Sequence, residues 1–229
     1  MPQKNWRLTP SDFAFLWEEC RCCFYLKVAR RVRRPRMAMP KIFTKIDSEM
    51  KDFYRGMRCE SISPDLPHGV VEFSEKWVQS EVLTIPNQSD TCYIKGKFDS
   101  VFKFDDGSYG VVDFKTSSRS DAHIPLYSRQ LHAYALALER PAPQRFGLNP
   151  VSKLGLLVFE PEAYRQGIDG RASLEGSLSW IGVERDDAAF LGFLSEVLDV
   201  LGHSDPPEPN LTCGWCKYRL ESRAGGYWS

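Results

Sequence analysis

Two stretches that alternate apolar with polar residues, 92–104 and 108–116, are separated by Asp105-Asp106-Gly107, a hairpin signal that constrains the fold more than any other segment. With Gly107 in the left-handed position of a three-residue loop, residues 104 and 108 pair across the turn and opposed positions sum to 212. Asp99 then faces Asp113, and Lys97 faces Lys115 one step along the same face. Side chains so opposed lie about 5 Å apart. Two adjacent carboxylates repel each other, and a divalent cation between them relieves the repulsion; Mg²⁺ prefers oxygen ligands at about 2.1 Å. Lys115 points the same way as Asp113, where an ammonium can orient water or offset charge growing on a phosphate. A two-residue loop would instead send Asp99 and Asp113 to opposite faces, leaving an ordinary solvated surface.

The remaining pattern predicts an α/β layer arrangement. Helices are expected at 10–30, where Pro10 suits a first helical position, at 42–53, at 126–139 and at 188–201. The second of these presents Asp47, Glu49 and Asp52 away from its apolar side. Strands are expected at 80–85, 92–104, 108–116, 153–159 and 177–183. The 229 residues, 42% of them apolar, contain no repeat and only short Pro-rich pieces, so residues 1–229 are expected to form one domain. Gln130 and Tyr134 are four apart on one helical face, and both can donate to a phosphate or to the carboxylates. His132 faces elsewhere on that helix, and His68, His123 and His203 fall in expected loops without readable partners.

Thirty basic and thirty acidic residues cancel, so nucleic-acid binding would need a local patch. One exists within the N-terminal helix and basic segment, 10–41: Lys27, Arg30, Arg31, Arg33, Arg34, Arg36 and Lys41, with no acid among them. Such a run suits a DNA backbone; the alternative is a solvated helix end. No segment is apolar enough to cross a bilayer or act as a signal peptide, and a cytoplasmic protein is expected. Seven cysteines point to a reducing compartment. Cys20-x-x-Cys23 and, in the tail 205–229, Cys213-x-x-Cys216 can supply four thiolates to zinc or to a four-iron cluster, or Cys20 and Cys23 can be buried core thiols. Cys59 and Cys92 read as core residues.

Taken together, GKFD at 96–99, VVDFK at 111–115 and QLHAY at 130–134 resemble the RecB-like branch of the PD-(D/E)XK nuclease superfamily, with its order G-x-x-D, D/E-x-K, Q-x-x-x-Y. The resemblance implies a restriction-endonuclease-like core of helix, three-stranded antiparallel sheet, helix and strand, with N- and C-terminal extensions. It also implies Mg²⁺- or Mn²⁺-dependent hydrolysis of DNA, with single-stranded stretches or free ends as substrate. Asp99 and Asp113 would be metal ligands, with Phe114 beside them at the metal, Lys115 the catalytic lysine, and Gln130 with Tyr134 the pair contacting substrate. Asp47 stands where such nucleases often carry a ligand histidine, with Glu49 second and Glu81 a further acid near the site. CGWCKYRLES resembles the C-x-x-C-x5-C tail of iron-sulphur nucleases, among them CRISPR-associated and helicase-linked exonucleases, with a cysteine of ECRCCFYL completing a [4Fe-4S] set. The last tail position is Ser222, so Cys22 or Cys23 would have to replace it. The implied setting is DNA repair, recombination or defence, beside helicase, CRISPR or recombination proteins. The alternative is an inactive DNA-binding or assembly module with the same fold and a structural thiolate site.

Overall fold

A computed structural model describes residues 3–35, 40–117 and 124–225. A short strand, β1 (Asn5–Leu8), leads into a π-helical turn at Asp12–Leu16, then α1 (Trp17–Glu19), α2 (Arg21–Ala29) and α3 (Lys41–Tyr54). Next come β2 (Gly69–Ser74), β3 (Trp77–Gln79), β4 (Leu83–Thr84), β5 (Thr91–Lys97), β6 (Ser100–Phe104) and β7 (Tyr109–Thr116). Helix α4 (Ile124–Glu139), β8 (Val151–Gln166), β9 (Ala172–Val183), α5 (Asp187–Gly202) and α6 (Gly214–Ala224) complete the order.

The expected turn chemistry sets the register. Gly107 has φ +86°, its N–H donates to Phe104 O at 3.0 Å, and the pairs run from Lys103–Tyr109 to Ser100–Val112, all summing to 212. The main sheet has the order β2-β6-β7-β8-β9, antiparallel except where β7 and β8 run parallel, joined across the crossover helix α4. This is the mixed α/β restriction-endonuclease-like arrangement. Residues 110–114 are all buried, because both faces of β7 are covered. Val111 joins the large core with Leu131 and Leu138 of α4, while Val112 and Phe114 pack beneath Met50 and Tyr54 of α3.

Four expectations change. The stretch 92–104 is two strands: the chain bends at Phe98 and Asp99, β5 pairs with β1, β3 and β4 in a second sheet, and β6 enters the main one. The bend lets Phe98 turn fully into the core, with its ring 6.2 Å from that of Phe146. The first strand of the antiparallel trio is β2, not 80–85, which holds only β4 and a bridge from Ser80 to Pro141. The expected helix 10–30 is interrupted at Cys20, whose backbone is extended (φ −165°, ψ 102°) and whose Sγ caps α2 by accepting from Cys23 N–H at 3.4 Å. The tail, expected only to carry cysteines, forms α6.

Candidate active site

Asp113 sits at the centre of β7, only 4% exposed. Its Oδ1 accepts from Gln130 Nε2 of α4 at 2.9 Å; its Oδ2 is buried, takes no well-directed hydrogen bond, and faces the Lys115 ammonium as an ion pair. Asp99 lies on the bend one residue before the Ser100–Val112 pair, and its Oδ2 accepts from Phe114 N–H at 3.2 Å. Burial, with the Asp99 charge adding to it, pushes the Asp113 carboxyl up to about 7 against the pull of Lys115. Burial also works against the Lys115 ammonium, but the Asp113 carboxylate outweighs it and holds that pKa above its ordinary value. The Lys115 Nζ lies 4.8 Å from the centre of the Tyr127 ring. The Phe114 ring is buried in the core under α3, so the side chain offers no ligand, and its backbone N–H donates to Asp99 Oδ2.

The acid from α3 arrives indirectly. Lys51, one helical turn beyond Asp47, buries its ammonium between Asp47 Oδ2 (2.8 Å), Asp99 Oδ1 (2.9 Å) and Glu75 Oε1 (3.5 Å). Burial alone would lower its pKa; Asp99 and Asp47 together raise it. Neither Lys51 nor Glu75 stood out in the sequence, although the i,i+4 spacing from Asp47 was a usable signal. Lys97 leaves the face expected for it because of the bend, and bonds Glu75 at 3.1 Å. Glu49 turns outward to Lys45 and Glu81 pairs with Arg140 at 2.6 Å, so neither joins the site.

Lys51→Met would leave three carboxylates without their common counter-charge. The expected result is a loss of about 2 kcal/mol, discounted from a fully buried ion pair because the acids are part-exposed, and a smaller loss when Mg²⁺ is added. Thermal unfolding with and without the ion measures both; an unchanged midpoint would show that the cluster does not depend on this ammonium.

The glycine of GKFD has a steric reason. A Cβ on Gly96 would stand 2.9 Å from Pro10 Cδ and 3.0 Å from Tyr134 Cε1, so the motif strand, the N-terminal segment and α4 touch there. Tyr134 OH donates to Lys97 O at 2.7 Å, fixing the backbone two residues before Asp99. Both Gln130 and Tyr134 are buried and spend their polar ends on protein atoms. In this structure the pair holds the carboxylate and the bend.

Residues 26–220 match the sequence profile of the PD-(D/E)XK nuclease superfamily. The chain belongs to that superfamily. Members of the PD-(D/E)XK superfamily are generally nucleases, hydrolases that act on DNA and typically use divalent metals. No curated protein is significantly similar in sequence. Among solved structures, the crystal structure of SSO0001 superposes with a TM-score of 0.49 over 96% of this chain and 86% of that one, at 14% identity.

Away from the carboxylates, this PD-(D/E)XK chain gathers four thiols. Cys20, Cys23, Cys213 and Cys216 are all buried, and their Sγ atoms lie within 4.8 Å of one another, an arrangement able to hold a metal ion. The group joins the start of α2 to the start of α6. Cys22 is buried beside it but outside the four, and Cys59 and Cys92 are fully buried elsewhere in the two cores.

The basic run is partly committed to protein contacts. Lys27 pairs with Asp12, Arg30 donates to Ser204 O at 2.8 Å, and Arg34 pairs with Glu19 at 2.6 Å. Arg31 and Arg33 are exposed and form no ion pair among the described residues; Arg36 lies outside the described residues, as does His123. His132 Nε2 accepts from Asp186 N–H at 2.8 Å, which leaves Nδ1 to donate to Ser128 O at 2.8 Å, a structural role. No described helix is long and apolar enough to cross a membrane.

Proposed function

We propose that this chain is a Mg²⁺- or Mn²⁺-dependent DNA nuclease of the RecB-like branch, acting on DNA with single-stranded stretches or free ends. The observation that carries this reading is Asp113, a buried carboxylate held by Gln130, with Asp99 beside it and the Lys115 ammonium on its open oxygen. Asp99 and Asp113 supply hard oxygen donors from neighbouring strands, and Asp47 is a third through Lys51. The donor set fits a divalent ion: one oxygen of Asp113 is buried without a directed hydrogen bond and has only an ammonium opposite it.

When bound, such an ion supplies Lewis acidity toward the scissile phosphate and acidifies water for attack on phosphorus. The chain's own groups do the rest. Gln130 fixes which way Asp113 faces, and Tyr134 fixes the bend that delivers Asp99. Lys115, paired with Asp113 here, would present an ammonium to the non-bridging oxygens and could hold or give a proton at the leaving oxygen. No serine, cysteine or histidine nucleophile is needed.

Asp113 sets a pH dependence. Its folded pKa, near 7, lies above the unfolded value of about 3.9, so the neutral carboxyl favours the fold and that contribution is lost as pH rises through about 7. The metal-free protein is therefore expected to lose several degrees of melting temperature between pH 5 and pH 8, and Mg²⁺ to remove most of the slope, because it binds the ionised form. Melting curves in EDTA and in Mg²⁺ across that range are the check; parallel slopes would mean the ion does not engage Asp113.

The function itself is tested by incubating end-labelled single- and double-stranded DNA with the full chain in Mg²⁺, in Mn²⁺ and in EDTA. Cleavage in either metal but not in EDTA is expected. Intact DNA in every metal would leave a binding module in place of an enzyme.

A further inference from the structure

The four buried thiols fit one ion better than a cluster. Four thiolates at about 2.3 Å from a central zinc, arranged as a tetrahedron, are separated from one another by about 3.8 Å. The separations here are 3.4 Å for Cys20–Cys216, 3.8 Å for Cys23–Cys213 and 3.8 Å for Cys23–Cys216, with every pair within 4.8 Å. A four-iron cubane seats each thiolate on a different iron and spreads the sulphurs much farther apart than one ion does. The sequence agrees, since the position that would complete the C-x-x-C-x5-C tail is Ser222 and the set is completed instead by a second Cys-x-x-Cys pair, Cys20 and Cys23, near the N-terminus.

We propose that Cys20, Cys23, Cys213 and Cys216 bind a single tetrahedral Zn²⁺ that ties α2 to α6, in place of an iron-sulphur cluster. The proposal does not rest on the nuclease reading. The break at Cys20 acquires a purpose: a continuous helix would carry Cys20 past the tail, whereas the extended residue turns its sulphur toward Cys216 and caps α2. Binding replaces four S–H bonds with four Zn–S bonds and releases four protons to solvent, leaving a site with two net negative charges. Two arginines already stand against the sulphurs to balance them. Arg34 Nη2 donates to Cys213 Sγ at 3.1 Å, and Arg219 Nη2 donates to Cys216 Sγ at 3.2 Å and Cys23 Sγ at 3.6 Å. Through Arg34 the ion also anchors the basic segment to the tail, and Trp215, packed on the thiol cluster, reports its state.

The test is metal content of the full chain purified without added metal, with X-ray absorption at the zinc edge and Trp215 fluorescence during chelation. One zinc per chain, a shell of four sulphurs at about 2.3 Å, no visible colour and a fluorescence change on zinc removal are expected. Cys20→Ser with Cys216→Ser should bring zinc from one per chain to none. Cys22→Ser, one position from a ligand, should keep a full equivalent and controls for damage to the fold. Brown protein with iron and acid-labile sulphide overturns the proposal. So does metal-free protein with disulfides or freely reactive thiols at these four positions, or loss of zinc in Cys22→Ser alone.

Discussion

Asp113→Asn is expected to lower metal-dependent cleavage by a factor on the order of 10³ or more while the protein stays folded. Asparagine keeps the shape and still accepts from Gln130 at Oδ1, so the contact with α4 survives; what disappears is the charge that would hold a cation. The buried carboxyl is disfavoured in its ionised form, and relief of that cost offsets the counter-charge Lys115 loses, so the melting temperature above pH 7 should stay level. That combination, dead and as stable, separates a ligand from a structural residue. Lys115→Met should cost as much in kcat, and the double variant little more than either single one, because the two side chains act as a unit. Single-turnover cleavage of end-labelled DNA is the measurement, and variants as fast as the parent would remove the hydrolytic reading and leave a DNA-binding module.

The second large effect is expected from Gly96→Val. Even a methyl group there enters the space of Pro10 and Tyr134, at 2.9 and 3.0 Å, and valine adds two more carbons. The neighbours are a proline ring and a tyrosine whose hydroxyl is tied to Lys97 O, so neither yields as a flexible side chain would. Overpacking of this kind costs about 2–3 kcal/mol, or roughly 4–12 °C in melting temperature at this chain length. Activity should fall further than stability does, about 10²-fold at a temperature where the variant is fully folded, because Tyr134 positions the bend carrying Asp99. Gly96→Ala should show a weaker version of both. A valine variant that melts with the parent would mean that α4 moves aside easily and that this contact does not hold the site.

How much of this was legible in the sequence follows from which forces are local. The hairpin register was readable because Asp105-Asp106-Gly107 fixes its turn within three residues, and Gly107 takes the left-handed conformation that turn requires. The order of strand, helix and strand was readable from the change of period, while the parallel pairing of β7 with β8 came only with the structure. The bend at Phe98 was not, since residues 92–104 read as one run rich in Val, Ile, Phe and Tyr and the break is decided by where the Phe98 ring packs, against Phe146 nearly fifty positions away. Strand β2 was missed because it is short and takes its place through pairing with β6. The outer arms of β8 and β9 were missed because residues 162–177 are largely exposed and leave no apolar alternation to read. In the site, Asp99, Asp113 and Lys115 announced themselves by spacing. Lys51 did not, because a lysine on the polar side of an amphipathic helix normally marks solvent, and only the tertiary approach of Asp99 and Glu75 turns it inward.

Lys51 has one more consequence. Acids gathered for a cation ordinarily drive a site apart when the cation leaves, so that assembly waits on supply. Here Lys51 keeps a tethered positive charge among Asp47, Glu75 and Asp99, so the pocket is expected to hold its shape in metal-poor solution. Under the proposed reading, loading would be an exchange of one cationic neighbour for another, with no refolding step.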